Sequence, residues 1–201
     1  MENAKLARTS VVLDRILKIL QGFMIAGILI SLIFIPLTLI FGEKVIADAS
    51  TLDLGNLSLK LNGDFREYLD LAATKRFIIV SLLSAAVGCG VGWYCTKVFR
   101  SILAPMKEGR PFDAGIADRI RTLGWAVLIG GAVGEVFHAI SQVLELKAYD
   151  LSFLANDALT ASMEYDYSIE PWFIFTALIL FFLSYIFRYG EALQRESDET
   201  L

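Results

Sequence analysis

The chain is short of the residues on which soluble catalysis and disulfide frameworks depend. Of its 201 residues one is histidine, two are cysteine and four are proline, and only 20% are charged. Two cysteines cannot build a disulfide scaffold. No nucleophile elbow, phosphate loop, zincin motif or dinucleotide fingerprint occurs, so an enzyme is the least supported class. Positive charge is scarce as well. A net charge of −4 and a pI near 5.1 leave no global basic field for a phosphate backbone, which argues against direct nucleic-acid binding. What the chain has in abundance is apolar side chains, at 56% of residues, with a mean hydropathy of +0.59.

Those residues fall in long runs. Residues 19–42, 77–96 and 171–187 contain no charge over 24, 20 and 17 positions, and 122–146 holds only Glu135 and Glu145 in 25. A hydrocarbon core of roughly 30 Å takes about 17–25 helical residues to cross. The runs are unbroken rather than alternating, which excludes a porin-like barrel. The sequence predicts an all-α integral membrane protein, a four-transmembrane-helix bundle in one membrane domain over 1–201. Spans are expected at about 17–41, 77–98, 123–146 and 171–188. Outer loops are expected at 42–76 and 147–170, an inner loop at 99–122 and a tail at 189–201. The first run is too long for the apolar core of a secretory signal, about 7–15 residues, and reads as a retained span.

Orientation follows from Lys and Arg. Segments 1–18, 97–121 and 188–201 hold 12 of the 18 basic residues, and short basic loops stay in the cytoplasm. Both termini are therefore expected on the cytoplasmic side of a bacterial cytoplasmic membrane. Trp125, Trp172 and Tyr185 lie near span ends, as interfacial aromatics do.

In the first outer loop, Thr51–Leu61 alternates apolar and polar residues around Gly55-Asn56. That pattern predicts a small extracytoplasmic β-hairpin. The second outer loop is acidic and reads as solvated surface. Span two carries Gly88 and Gly92, and span three Gly130 and Gly134. Small residues four apart let helices approach closely, so these four glycines predict packing of spans two and three, or a homo-oligomer. Cys89 and Cys95 read as small packing residues, and Pro36 predicts a bend in span one.

Glu135 sits at the middle of span three, followed by His138, Gln142 and Glu145 at steps of three, four and three. These steps keep one helix face. An ionised group at bilayer centre costs about 2.5–3.5 kcal/mol on insertion scales, so the stripe is expected to face the bundle interior or a wet cavity. Two readings stay open. One is an internally satisfied network, with Ser31, Ser84 or Thr176 as partners. The other is a proton relay or small-ligand site in which His138 responds to pH. No cofactor is implied. A carboxylate-bridged metal centre would need a second Glu-x-x-His helix, so no metal is expected.

Two inner segments are patterned. After Gly109, Arg110, Pro111 and Phe112, Asp113 can cap a helix whose Ile116, Ile120 and Leu123 share a face, with Arg119 and Arg121 projecting toward solvent or lipid phosphates. Phe187, Arg188, Gly190, Leu193, Gln194, Thr200 and Leu201 form a second pattern in the acidic tail. With Arg119, Arg121 and Gly124, these segments resemble the bacterial membrane-protein family known as domain of unknown function 2975. That family has four spans in matching order, a Gly-x-Pro-Phe turn, an Arg-x-Arg-x-x-Gly helix and a Phe-Arg-x-Gly-x-x-Leu-Gln end. The resemblance covers essentially the whole chain but leaves out the polar stripe and the long outer loop. Members often neighbour small helix-turn-helix regulators. The resemblance therefore implies a cytoplasmic partner held by the inner surface, with Arg110, Pro111, Phe112, Arg119, Arg121, Arg188, Gly190, Leu193 and Gln194 as its candidate residues. Two functions follow: a membrane-embedded regulatory or sensory partner, or a small transporter or ligand- or proton-binding subunit using the stripe.

Overall fold

Backbone amides in hydrocarbon have no water to bond, so an apolar run long enough to cross must satisfy its hydrogen bonds within one helix. Each of the four runs does so. The structure, a computed structural model, describes residues 2–47, 51–54, 57–60, 70–107, 115–148 and 171–199. The helices are α1 Glu2–Ala47, α2 Leu71–Lys107, α3 Ile116–Ala148 and α4 Trp172–Glu199. All four are long and apolar enough to cross a membrane. At 46, 37, 33 and 28 residues they exceed the roughly 20 residues a hydrocarbon slab requires. Helix α1 continues unbroken through Pro36 and α2 through Pro105. Large apolar side chains stand open along the spans, among them Phe23, Ile40, Phe175 and Phe182. Water would penalise such a surface; lipid tails are as apolar as the side chains themselves.

Strands β1 Thr51–Leu54 and β2 Leu57–Lys60 pair antiparallel, with Thr51 opposite Lys60 and Leu54 opposite Leu57. Gly55 and Asn56 between them, the acidic segment 149–170, and Arg110, Pro111, Phe112 and Asp113 lie outside the described residues.

The chain divides into two compact units. The first comprises residues 1–28, 87–134 and 170–201. Within it α1 meets α2, α2 meets α3, and α3 meets α4, each junction opened by a glycine. A Cβ on Gly27 would lie 2.7 Å from Cys89 Sγ, and one on Gly92 would lie 3.1 Å from Met24 Sδ. A Cβ on Gly130 would collide with Val91, one on Gly124 with Phe181, and one on Gly131 with Phe173. Gly88 and Gly134 have open space instead. Only one member of each predicted glycine pair is thus a close approach, and Gly92 faces α1 rather than α3. The reason is helical phase: a step of four advances 400°, so two glycines on one stripe can still straddle the edge of a contact.

The apolar core of this unit is Ile102, Ile116, Ile120 and Leu123, with Phe99, Met106, Leu180 and Phe187 packed around it. Ile116, Ile120 and Leu123 recur at helical spacing and do share the buried face. The chain enters α3 through Gly115 at φ 89°, a conformation that a side chain would strain.

The second unit comprises residues 29–86 and 135–169. There Asp70 caps α2, its Oδ1 accepting from Ala72 N at 2.9 Å and Ala73 N at 3.1 Å. Thr74 Oγ1 donates back to the Asp70 carbonyl at 2.9 Å, so the first turn of α2 is satisfied from both directions.

Candidate functional site

The beginning of α3 and the last turns of α4 carry a connected polar network. Ala117 N, one of the α3 amides that lacks a partner within its helix, donates to Glu191 Oε1 of α4 at 2.9 Å. An acid at this position also meets the positive end of the helix dipole. Ser184 Oγ donates to the Ala117 carbonyl at 2.8 Å, and Arg188 Nη2 donates to Asp118 Oδ1 at 2.7 Å. Arg119 Nη1 donates to the Ser101 carbonyl of α2. The first turn of α3 is therefore clamped by α4 on one side and α2 on the other.

This arrangement corrects one expectation. Arg119 is half-buried and turned toward α2 rather than projecting outward, while Arg121 is exposed. The acidic tail is helical: α4 runs on to Glu199, with Arg195 bonded to Glu199 one turn later at 3.0 Å. The acid that meets the Ala117 amide is Glu191, 74 positions away in sequence; Asp113, the expected cap, lies outside the described residues. Of the other predicted surface residues, Gly190 is half-buried and Leu193 and Gln194 are exposed.

A second ion cluster was not legible in the sequence. Arg100 Nε donates to Asp14 Oδ1 at 2.8 Å and Arg100 Nη1 to Gln21 Oε1 at 2.6 Å. Lys107 Nζ sits 2.7 Å from Asp14 Oδ2. The available signal was an acid inside a basic segment with a polar residue seven positions on, which puts Asp14 and Gln21 on one face of α1.

The span-three stripe is split. Glu135, Gln142 and Glu145 are half-buried, whereas His138 is exposed. Glu135 Oε2 and Gln142 Oε1 are buried with no hydrogen-bond partner. An internally satisfied Glu–His–Gln network is therefore not present at these two oxygens. By helical phase Gln142, two turns on, lies only about 20° around the helix from Glu135, so the two oxygens share one side of α3. Thr176 bonds its own helix at the Trp172 carbonyl, 2.9 Å away, and is no partner to the stripe. Among the described residues no group of His, Cys, Asp and Glu side chains is arranged to hold a metal ion.

Four apolar helices of this length, with apolar side chains facing outward along them, define a multi-pass membrane protein. No family model, curated protein or solved structure matches the chain.

Proposed function

We propose that this protein is a membrane-embedded regulatory or sensory partner of a cytoplasmic protein. In this reading it belongs with the domain of unknown function 2975 family and sits in a bacterial cytoplasmic membrane. Both termini and the 99–122 loop then face inward, and the β1–β2 pair lies outside. The partner implied by the family resemblance is a small helix-turn-helix regulator. The observation that carries the reading is the Glu191–Ala117 bond. It joins the beginning of α3 to the end of α4, so a displacement of either span is delivered to a helix end outside the apolar run. Beyond that bond Leu193 and Gln194 are exposed, a helical surface available for docking. An acidic helix end is also suited to a basic DNA-binding face, where it would compete with phosphate.

Truncation tests this. Removing 192–201 retains Glu191 and its bond to α3, so insertion and thermal stability in detergent should stay as in the full chain. Recovery of a co-purifying cytoplasmic protein should fall at least ~10-fold, the loss of roughly 1.4 kcal/mol or more of binding. Unchanged recovery would overturn the proposal.

The orphaned oxygens of Glu135 and Gln142 favour a second reading, a small transporter or a ligand- or proton-binding subunit. A buried unsatisfied polar group costs about 1–3 kcal/mol, and an ionisable residue inside a membrane span is by default a functional candidate. Two such oxygens on one face of α3 form an acceptor pair suited to a proton or a cationic donor. Under this reading Glu135→Gln abolishes pH-dependent proton flux in vesicles reconstituted with the full chain. A change confined to melting temperature would mean that the stripe serves packing alone.

A further inference from the structure

At the same end of α3 and α4, a cavity of about 310 Å³ is lined by Arg121, Trp125, Phe181, Ser184, Tyr185 and Arg188. We infer that it is a binding site for one anionic phospholipid, with the phosphate between Arg121 and Arg188 and an acyl chain along Trp125 and Phe181.

The lining is graded along the helix axes. Arg121 and Arg188 stand where the apolar runs of α3 and α4 end. Trp125 lies four residues into the span from Arg121, and Tyr185 and Phe181 lie three and seven residues into the span from Arg188. Residues so spaced share a helix face, so two cations give way to a hydroxyl-bearing ring and then to apolar aromatic surface in the order a glycerophospholipid presents its own parts. The two rings deepest in the site are in edge contact, Trp125 and Phe181 having centroids 5.2 Å apart at 60°. Together they form an aromatic wall.

Charge complementarity selects the occupant. Arg121 is exposed and makes no ion pair or hydrogen bond with any described residue, so its charge is uncompensated. Arg188 spends one Nη2 donor on Asp118 out of the five that a guanidinium carries. Arginine is the side chain best matched to phosphate, through paired parallel donors. Ser184 has already given its proton to the Ala117 carbonyl, so the donors facing an incoming anion are the two guanidinium groups and the Tyr185 hydroxyl. A free phosphate would use the arginines and leave the aromatic wall idle. A zwitterionic lipid would bring a third cation beside the two already present. An anionic phospholipid uses every part of the lining.

The site requires only that the chain crosses a membrane and is independent of any cytoplasmic partner. The test uses the full chain carrying Trp93→Phe and Trp172→Phe, so that Trp125 is the sole indole, in nanodiscs of phosphatidylcholine. Phosphatidylglycerol with brominated acyl chains should quench Trp125 more strongly than brominated phosphatidylcholine at equal mole fraction. Arg121→Ala should weaken that preference roughly fivefold, the effect of one arginine near an anionic headgroup, and Arg121→Ala with Arg188→Ala should erase it. Because Arg121 has no partner among the described residues, its single variant keeps the test valid even if the double variant loses the α3–α4 contact. Equal quenching by the two lipids would overturn the inference, as would a preference that survives both substitutions. So would reversal of the preference by millimolar inorganic phosphate, the result expected of a site for the free anion.

Discussion

Replacing Gly131 with valine is expected to leave little folded protein after extraction into mild detergent. A Cβ at this position would overlap Cβ and Cγ of Phe173, the stem of that side chain, and a stem cannot swing aside by a rotamer change. Helix α4 would have to move, and overpacking of this kind costs about 1–3 kcal/mol, occasionally more. The penalty belongs at the upper end here, because close contact is the attraction that holds helices together in lipid once the hydrophobic drive between them is gone. Gly134→Val is the control. It lies three residues further along the same helix with nothing within 4 Å, so it should be neutral or slightly stabilising, valine being a better helix former than glycine by a few tenths of a kcal/mol. Thermal melting followed by size-exclusion recovery separates the two. Equal stability of the two variants would mean that α3 and α4 do not meet at Gly131.

Truncating Ile116 to alanine should destabilise the chain by about 2–5 kcal/mol, the range for opening a cavity at a buried isoleucine. Ile116 is 0% exposed, the largest side chain so enclosed among the described residues, and it rests on Ile102, Ile120 and Leu123. The same change at Ile129, also in α3 but 58% exposed, should cost little, because lipid tails fill the vacated volume. Identical chemistry on one helix then gives opposite results according to whether the neighbour is protein or lipid. A comparable loss from both substitutions, measured as melting temperature in one detergent, would count against the packing at the beginning of α3.

Much of this was legible in the residues. Uncharged runs of fixed length marked four helices because hydrocarbon leaves the backbone no other way to satisfy its amides. The spacing of Ile116, Ile120 and Leu123 marked a buried face because helical periodicity is local. The glycine pairs were legible only in part. Gly92 and Gly130 do meet neighbours, but sequence spacing cannot say which neighbour, and Gly27, Gly124 and Gly131 make contacts just as close outside the singled-out pairs.

The polar contacts were the least legible. Nothing near Ala117 in sequence points to Glu191, and nothing near Asp14 points to Arg100, 86 positions away. The spacing of Glu135, His138, Gln142 and Glu145 was legible, but their burial was not: Glu135, Gln142 and Glu145 are half-buried and His138 is exposed.

The sequence alone determined that the protein lives in lipid and how many times it can cross, since transfer energy and helix length depend only on which residues follow one another. Tertiary structure alone decided which glycine meets which side chain, which acid caps α3, and which two oxygens of the stripe are left without partners. Those outcomes depend on the rotation of each helix about its axis and on the neighbour it meets, and both are fixed by contacts between residues far apart in the chain.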